Sequence, residues 1–526
     1  MRKVAAGGLA LLTFAFACSN FSGDDPPGNT PNDDGGADGG DGSVPSDGFV
    51  VLPFAAEPPF VVQGKRVKVP VKIQRGAKFQ EPVTITLATP PKGISQLGGA
   101  VITADSVDVE LEVDATFKQG VVELLFEARS ERAVTQTGKP KIFVRGPSGS
   151  LDTTFAATGI LESGFDASMQ HVVDAVVLPD RRIIVISSCL KNLYYTCTVR
   201  LSESGTTDTS YGTNGLAVSA HQYGYLGLLS AGKLVIVSGG VSSDNLPVTL
   251  LNLARLEANG DPDPTFGDPS TPGIRSYPSP IFYGIGGLFV DASNRLVIPL
   301  TTYDGQTIRL QVLRTTPNGL PDGTFGSNGF ATDPSFVDYF PRGLVFANDK
   351  LVVSGRNKAG SAFVARLDAT GALDPTYGAS GGFSTFPIGN TDVIFGVPMG
   401  MVATSDGVLT THEMSQNDVR LAKVALDGKA LVDAYGTQGI ASYGGRLNAQ
   451  LIATQDNNLL VLTTGGSGTL ARLDANGKLD TTFGTNGVAN LSNYSLRATP
   501  YGNDRVLVSG GKSANEKKPN VRRYWL

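Results

Sequence analysis

The sequence predicts an all-β protein, in which a seven-bladed propeller of antiparallel sheets follows a small β-sandwich. Two observations support this prediction. A motif of 11 or 12 residues recurs seven times, and the segments between its copies are short apolar runs separated by turn residues. The composition agrees, because 65 Gly and 31 Pro in 526 residues suit a chain with many tight turns. This length exceeds one ordinary core, so more than one domain is expected.

The charge balance argues against nucleic acid as a partner. The chain has 43 basic and 48 acidic residues, which give a net charge of -5, and only 17% of its residues are charged. A protein that neutralises many phosphates needs a surplus of Lys and Arg. We therefore expect no nucleic-acid partner.

Residues 1–17 are expected to be an export signal. Two basic residues precede an apolar run that ends in small residues and is too short for a permanent membrane span. The stretch resembles a bacterial lipoprotein signal, in which the Cys after the cleavage site, here Cys18, becomes the lipidated first residue. The resemblance implies a membrane anchor in the bacterial cell envelope and, with Ser19 next, an outer-membrane location. Ala15 stands where that family usually has Leu, which leaves ordinary cleavage after Ala17 as the alternative.

Two segments lie between this signal and the repeats. Residues 18–48 are rich in Gly and Asp and almost free of apolar side chains, so they are expected to form a disordered tether. Their Asp-Gly runs lack the spacing of a calcium loop. Residues 49–146 contain short alternating strands such as "RVKVPVKIQR", with turn signals roughly every 8 to 12 residues, which predicts an antiparallel sandwich. This pattern resembles the cysteine-free immunoglobulin-like modules of bacterial surface proteins.

The repeat occupies residues 149–526, and each copy places an acidic residue shortly before an aromatic residue and a Gly. In chain order, copies one to seven are "GSLDTTFAATG" at Gly149, "GTTDTSYGTNG" at Gly205, "GDPDPTFGDPS" at Gly260, "GLPDGTFGSNG" at Gly319, "GALDPTYGASG" at Gly371, "GKALVDAYGTQG" at Gly428 and "GKLDTTFGTNG" at Gly477. The recurring acid is Asp152, Asp208, Asp263, Asp322, Asp374, Asp433 and Asp480. Its spacing of 47 to 59 residues is typical of propeller blades.

Each unit between copies repeats the same predicted strands. After the motif come a short strand, an apolar strand that ends in a tight turn, a run of Val, Ile and Leu, and a strand that carries Arg or Lys; the turn and the run are seen together in "SAGKLVIV". Asn, Asp and Gly suit the left-handed positions of such hairpins. Four antiparallel strands in each of seven units predict a seven-bladed propeller. The final stretch "NVRRYWL" is expected to be the outer strand of the last blade, and "IFVRG" before copy one is an alternative closing strand.

The seven copies of sequence like "RLDANGKLDTTFGTNG", with their hairpins, resemble the delta-60 repeat, a bacterial β-propeller family. The resemblance covers residues 149–526. It implies a propeller fold and a surface or secreted location, but no particular reaction. Copies one and six depart from the pattern, with Ala156 in place of the usual Gly and a two-residue insertion before Asp433.

The acidic row is expected to be structural, although metal binding or acid/base catalysis is the alternative. Catalysis needs two groups on one substrate, whereas equivalent positions on seven blades lie on a wide circle. An Asp before an aromatic residue and a Gly suits a turn, since its side chain accepts backbone N–H bonds. A basic row on the preceding strand predicts Arg-to-Asp pairs within or between blades, with phosphate binding as the alternative. Its members are Arg200, Arg255, Arg314, Arg366, Lys423, Arg472 and Arg523.

Cysteine and histidine content limits the remaining chemistry. Beyond the signal only Cys189 and Cys197 occur, on either side of a predicted hairpin, and an exported chain favours a disulfide there over two free thiols. The chain has 3 His and lacks "GxSxG", "HExxH" and phosphate-loop patterns. We therefore expect no catalytic set, no metal site and no cofactor.

One row of side chains differs from blade to blade and is the candidate ligand site. It falls at the start of a strand, on the face opposite the motif turns. Aromatic and His side chains gathered at one mouth can stack on a sugar or a peptide. The alternative is that they are wedges packing adjacent blades. The candidate ligand-binding residues are His171, His221, Phe282, Tyr339 and Tyr494.

These patterns favour a non-enzymatic, lipid-anchored bacterial surface protein whose sandwich spaces a propeller that binds an unknown protein or glycan. The alternative is an exported propeller enzyme, of lyase or glycosidase type, that acts on polysaccharide at the channel mouth. Carboxylates or His side chains with perturbed pKa values converging in one pocket would favour the enzyme.

Overall fold

The computed structural model describes residues 44–132, 135–189, 195–219, 224–228, 232–238, 248–347, 350–388, 400–415, 418–444, 450–454, 459–463, 468–491, 494–511 and 518–526. Regular structure in these ranges consists of β-strands, which confirms the prediction of an all-β chain. The described residues include no helix with the length and apolar character that a membrane crossing requires. The predictions for residues 1–17, for Cys18 and for most of the tether concern residues outside these ranges.

The first eleven strands form three sheets around one core. Their order is β1-β3-β7-β5, β10-β9-β4-β6 and β2-β11-β8, where the strands are β1 (Phe49–Val51), β2 (Phe60–Val62), β3 (Arg66–Arg75), β4 (Val83–Leu87), β5 (Ile94–Gln96), β6 (Ala100–Ile102), β7 (Ser106–Val113), β8 (Gly120–Glu123), β9 (Phe126–Ser130), β10 (Thr135–Gly138) and β11 (Lys141–Arg145). Alternation places one face of each strand inside, as in β3, where Val67, Val69, Val71 and Ile73 are buried between exposed neighbours. The buried side chains of all three sheets belong to a single cluster.

The repeats contribute the remaining strands. They are β12 (Ile160–Leu161), β13 (Met169–Val177), β14 (Ile183–Cys189), β15 (Tyr195–Leu201), β16 (Leu216–Ser219), β17 (Gly224–Leu228), β18 (Leu234–Ser238), β19 (Val248–Leu256), β20 (Gly267–Asp268), β21 (Thr271–Pro272), β22 (Ile274–Ile285), β23 (Phe289–Val290), β24 (Leu296–Tyr303), β25 (Ile308–Thr315), β26 (Phe330–Val337), β27 (Tyr339–Ala347), β28 (Lys350–Asn357), β29 (Ala362–Leu367), β30 (Phe383–Phe386), β31 (Met401–Thr404), β32 (Gly407–Ser415), β33 (Asp418–Ala425), β34 (Ile440–Gly444), β35 (Gln450–Ala453), β36 (Leu459–Thr463), β37 (Thr469–Leu473), β38 (Val488–Asn490), β39 (Tyr494–Tyr501), β40 (Arg505–Gly511) and β41 (Pro519–Trp525).

Most of these strands form antiparallel sheets of four. The sheets β13-β14-β15-β16, β27-β28-β29-β30, β31-β32-β33-β34 and β35-β36-β37-β38 follow chain order. Two further units of four are joined because β22 is twelve residues long: its first half pairs with β19 and its second half with β24. Each motif copy lies between the third and fourth strands of one sheet, so the short strand after a copy completes the sheet before it.

The last sheet corrects the predicted role of "NVRRYWL". This stretch is β41, the third strand of its sheet, rather than the outer one, and "IFVRG" pairs within the amino-terminal sheets as part of β11. The outer strand is β12, which follows copy one: Ile160 pairs with Arg522, and Leu161 pairs with Val521. The physical reason is that the strand after each motif copy completes the sheet before it. Copy one comes first in the chain, so its strand β12 has no preceding four-stranded sheet and completes the last one instead.

Neighbouring sheets contact one another in sequence. First strands meet where β13 contacts β17, β27 contacts β31, β31 contacts β35 and β35 contacts β39. Between the second and fourth units the contacts are those of β17 with β23 and of β24 with β27. β39 also contacts β13, so the series closes on itself. Buried clusters lie between successive sheets, as where Tyr501, Leu507 and Val521 of the last sheet pack with β13, β14 and β15.

The amino-terminal sheets touch the repeats through Gln119. Its Oε1 accepts hydrogen bonds from Trp525 Nε1 and from the backbone N–H of Thr153, both at 2.9 Å. Its Nε2 donates to the Leu151 carbonyl at 3.2 Å. The ring of Phe143 in β11 also packs edge-on against Trp525, with centroids 5.9 Å apart. Strand β41 therefore holds both the last sheet and the contact with the amino-terminal part.

Candidate functional site

The motif Asp is a turn residue in six copies. In copy seven, Asp480 Oδ1 accepts the backbone N–H of Thr482 at 3.0 Å and its hydroxyl at 2.6 Å. The local reason is that a short carboxylate reaches the backbone two residues on and caps the turn. The same arrangement joins Asp152 to Thr154, Asp208 to Ser210, Asp263 to Thr265, Asp322 to Thr324 and Asp374 to Thr376.

The second carboxylate oxygen of each of these Asp residues accepts a hydrogen bond from the basic row, which confirms the predicted Arg-to-Asp pairs. The guanidinium Nε lies close to Oδ2 in every case. The distances are 2.8 Å for Arg200–Asp208, 2.5 Å for Arg255–Asp263, 2.7 Å for Arg314–Asp322, 2.8 Å for Arg366–Asp374, 2.9 Å for Arg472–Asp480 and 2.6 Å for Arg523–Asp152. Five pairs lie within one stretch of chain, and the pair of Arg523 with Asp152 joins the last strand to copy one.

A second cation reaches the same carboxylate in five of these copies. It comes from the hairpin between the first and second strands: Arg182 lies 3.3 Å from Asp208, Lys233 2.9 Å from Asp263, Arg295 3.5 Å from Asp322, Lys350 2.5 Å from Asp374 and Arg505 3.6 Å from Asp152. A carboxylate between two cations is strongly held in its ionised form.

The pKa shifts follow from these contacts. Hydrogen bonds from Ser210 and Arg200 hold the pKa of the Asp208 carboxyl well below its usual range. Hydrogen bonds from Lys350 and Thr376 do the same for the pKa of Asp374. A group that stays ionised and paired at neutral pH is poorly suited to exchange protons with a substrate.

The aromatic residue of each motif is covered by the same guanidinium and by the next copy. Arg314 lies 4.2 Å above the centroid of the buried Phe325 ring, and the other five Arg residues of the row stack at 4.5 to 5.0 Å. The first Gly of the next copy lies on the ring: a Cβ on Gly319 would approach Phe266 to 2.5 Å, and its φ is +76°. We call each motif, its Arg or Lys and the turn of the next copy a joint.

The joints form a closed series. In every copy but the third, the backbone N–H that follows the aromatic residue donates to the turn of the next copy, as Gly212 does to the Asn259 carbonyl at 2.6 Å. In copy three, Arg255 donates to the Pro317 carbonyl of the next turn. The last joint returns to the first, because Gly484 donates to the Ser148 carbonyl at 2.9 Å.

The joint of copy six corrects one member of the acidic row. The backbone N–H of Val432 donates to the Lys423 carbonyl at 2.8 Å, as Asp480 does to Arg472 at 2.9 Å, so Val432 holds the place of the acid. Asp433 is one residue further on and exposed. Asp433 stands two residues before the aromatic Tyr435, whereas the acid of the other copies stands three residues before it, so Asp433 is out of register with the turn. Lys423 pairs at 2.8 Å with Asp406 instead.

The candidate ligand row is described only in part. His221 lies outside the described residues, and His171, Phe282 and Tyr494 lie in β13, β22 and β39 with side chains that are not described. Tyr339 begins β27.

Strand register places Tyr339 away from the motif. It pairs with Asn357, at the end of the sheet opposite Leu351 and Leu367, where the motif begins. Its half-buried ring packs edge-on against Phe363, with centroids 4.9 Å apart, and also contacts Phe336 and Phe383. This aromatic packing matches the wedge alternative for Tyr339, and binding by the row stays a prediction.

His412 is the one His residue whose side chain is described, and it does not join that row. It is buried in β32, with Nε2 2.5 Å from the Thr410 hydroxyl. Burial, together with the nearby charges of Arg342 and Arg356, lowers the pKa of His412 to about 3. Its imidazole is therefore neutral at physiological pH.

The remaining predicted features concern cysteine and metal ligands. Cys189 and Cys197 form the predicted disulfide between β14 and β15, with Cα atoms 5.8 Å apart. Within the described ranges, His, Cys, Asp and Glu do not gather in any group of three or more that would hold a metal ion.

Three solved structures that resemble this chain do so with low TM-scores. Sqt1 from Chaetomium thermophilum is 9% identical and matches 69% of this chain and 98% of its own, with a TM-score of 0.39. The polysaccharide lyase Uly1 is 8% identical over 69% of this chain and 92% of its own, with a TM-score of 0.36. An engineered GH43 glycoside hydrolase is 12% identical over 76% and 83%, with a TM-score of 0.20. At these scores the likenesses carry no argument about function.

Sequence comparison finds a family model that matches two segments of the repeats. No curated protein matches the chain significantly. A family model described as a domain of unknown function (DUF5122) beta-propeller matches residues 232–266 and 456–483, which end at Phe266 and Phe483 of copies three and seven. These matches support a β-propeller family for the repeats of this chain.

Proposed function

We propose that this chain is a lipid-anchored protein of the bacterial cell envelope whose propeller is a non-enzymatic binding scaffold. In this proposal Cys18 carries the anchor and residues 18–48 are the tether. Residues 49–146 are an immunoglobulin-like spacer, and residues 149–526 form a seven-bladed ring.

The observation that carries the proposal is the use of the repeated charges. Six of the seven basic residues of the row neutralise the motif acid of their own joint, and the seventh, Lys423, pairs with Asp406. The motif Asp residues of six copies therefore form structural ion pairs within the joints. Side chains that differ between sheets, on the opposite face, remain as the source of specificity.

The seven-bladed ring is supported by pairing and contacts. The repeats supply seven units of four strands, counting the two joined through β22 and the one completed by β12. Neighbouring units contact one another in a closed series, which runs through first strands except at the third unit, where β23 and β24 make the contacts. A ring of this kind leaves only short, protected sheet edges, which suits an exposed location.

A binding screen tests the scaffold function. The full chain, solubilised in detergent, is applied to glycan and peptide arrays beside a double variant with His221→Ala and Tyr339→Leu. We expect one ligand class to be retained by the unmodified chain and bound at least about tenfold more weakly by the double variant, since stacking surface is lost. Tyr303→Phe is the matched control, because Tyr303 lies at the same end of the sheets and outside the row. If the double variant bound equally well and kept its melting temperature, the row would have only a packing role between blades.

A labelling experiment tests the anchor. Cys18→Ser should abolish incorporation of a fatty-acid probe, because a Ser offers no thiol for acylation. The paired variant Cys189→Ser, Cys197→Ser is the control and should keep the label. Label that persists on the Cys18→Ser chain would refute the anchor.

A further inference from the structure

One edge of the amino-terminal sheets exposes an aromatic side chain. Strand β2 is the outer strand of the sheet β2-β11-β8 and is three residues long. Its first residue, Phe60, is 61% exposed. Edge strands of native proteins commonly carry charged side chains that prevent pairing with other chains, whereas the Phe-Val-Val of β2 carries none. Strand β2 therefore presents an apolar edge to which another strand can be added.

The backbone of β2 directs hydrogen-bonding groups to this edge. The Phe143 N–H donates to the Pro59 carbonyl at 2.9 Å, so the groups of residue 59 face β11. Successive residues of a strand direct their N–H and C=O groups to opposite sides, so those of Phe60 and Val62 face the open edge. The Val62 carbonyl already accepts the Lys65 N–H at 3.0 Å. The N–H and C=O of Phe60 and the N–H of Val62 are therefore directed at the position of an added strand.

A cation lies beside this edge. The guanidinium of Arg145, in β11, lies 4.5 Å from the centroid of the Phe60 ring. Its Nε is buried and has no hydrogen-bond partner within the part of the chain that the structure describes. Burial lowers the pKa of Arg145, which the Asp504 carboxylate opposes and the Arg472 cation reinforces. Asp504 itself pairs with Arg505 at 3.6 Å. A further carboxylate beside Phe60 would therefore stabilise the Arg145 charge.

The edge adjoins the contact between the amino-terminal sheets and the repeats. Phe143 lies between Phe60 and Val121 in one row across the sheet. Its ring packs against Trp525, so the repeats contact the middle of the row. Both ends of the row are exposed, with Val121 at 60%. A segment that lies along β2 would therefore extend an apolar contact that already exists.

We propose that β2 is a docking edge for an extended segment of a partner protein. The segment adds a strand to the sheet and places an apolar side chain on Phe60 and a carboxylate on Arg145. These two side chains lie two residues apart in the segment, because alternate residues of an added strand share one face. A second copy of this chain fits less well, since pairing two β2 strands would bring two Arg145 guanidinium groups together. A saccharide can stack on Phe60 but leaves the backbone groups of the edge without a strand partner.

Calorimetric titration of the full chain in detergent tests this docking with the peptide acetyl-Thr-Phe-Thr-Glu-Thr-amide. We expect saturable binding with a dissociation constant below on the order of 1 mM. One matched peptide has Gln in place of Glu and lacks the charge; the other is N-methylated at Phe and lacks the donor to the Phe60 carbonyl. Both should bind at least about tenfold more weakly. Absence of saturation, or equal binding of the N-methylated peptide, overturns strand addition at β2.

Two variants of the chain locate the site. Phe60→Ser and Arg145→Gln should each weaken binding of the unmodified peptide about tenfold or more. Val121→Thr is the matched control and should keep binding, because Val121 is equally exposed in the same row but lies two strands from the edge. Circular dichroism checks that each variant is folded. Unchanged binding by folded Phe60→Ser, or an equal loss in Val121→Thr, refutes the site.

Two further measurements identify other occupants. Sedimentation of the full chain would overturn the proposal if it showed a dimer that Phe60→Ser dissociates. Binding of tetragalacturonate that Phe60→Ser abolishes, without any binding of the peptide, would also overturn it in favour of a saccharide. The double variant His221→Ala, Tyr339→Leu should bind the peptide as the unmodified chain does, so failure of the candidate ligand row and failure of the docking edge are separate results. Loss of peptide binding in that double variant contradicts the assignment to β2.

Discussion

The joint of copy six and the joint of copy seven have the same backbone and different side chains. Val432 and Asp480 make the same hydrogen bond to the preceding strand, and Gly436 and Gly484 both donate to the next copy. Copy seven adds the Arg472–Asp480 pair, which copy six lacks. The turn is therefore specified by its Gly and aromatic residues, and the ion pair fills and strengthens a turn that forms without it.

The largest expected effect comes from removing a buried member of an intact joint. Arg523→Ala should lower the free energy of unfolding by about 3–5 kcal/mol, since it leaves the buried Asp152 carboxylate without its closest cation. The Arg523 side chain is 1% exposed and also donates to Thr154 and to the Glu203 carbonyl. Denaturant unfolding of the full chain measures the change.

Lys423→Ala is the matched change in copy six. Its partner Asp406 is largely exposed, so the loss should be much smaller than for Arg523→Ala. If Arg523→Ala and Lys423→Ala lowered the free energy of unfolding equally, the ion pairs would not account for a difference between the two joints.

Lowering the pH should weaken the ion pairs of the intact joints. The pKa of the Asp480 carboxyl is lowered by its hydrogen bonds to Thr482 and by Arg472. A lowered pKa in the folded state adds stability that is fully present above the unfolded value of about 3.9 and is lost as pH falls through the folded value. The melting temperature should therefore fall below about pH 4, and Asp480→Asn should reduce the steepness of that fall. Asp433→Asn is the matched control, because Asp433 is exposed and does not hold the place of the motif acid in copy six. An equal effect of the two variants would contradict the assignment.

The smallest expected effect concerns copy one. Ala156 has φ of +48° where other copies have Gly, as at Gly484 with φ of +55°. Ala156→Gly should raise the free energy of unfolding by up to about 1 kcal/mol, because the left-handed conformation costs Ala more than Gly.

The reverse change in copy seven is the control. In Gly484→Ala the added Cβ would lie 2.3 Å from the Val488 carbonyl oxygen, so stability should fall. If Ala156→Gly destabilised the chain instead, the strain assigned to copy one would be wrong.

Much of this architecture could be predicted because it is repeated. The pair of Arg472 with Asp480 has counterparts at the same spacing, five copies in all, which identifies an ion pair without any structure. The disulfide could be predicted from two Cys residues that flank a hairpin. Alternating burial in β3 is visible as period-two hydrophobicity.

Other features left no such signal. Strand β12 is only two residues long, so its pairing with β41 depends on the whole series rather than on its own sequence. The sequence alignment placed Asp433 at the acid position of copy six, whereas the backbone hydrogen bonds place Val432 there.

The pairing of β12 with β41 has a consequence for how this chain reaches its native state. Asp152 and Arg523, which hold the same sheet, are separated by 371 residues, so copy one carries an unfilled partner position until the last repeat has been made. Loop closure on this scale is slow, and the unpaired edge is exposed in the meantime. Because Trp525 also packs against Gln119, arrival of β41 completes the last sheet and docks the amino-terminal part in one event. We therefore expect the repeats to fold cooperatively as one unit, whereas an open repeat array can fold one repeat at a time.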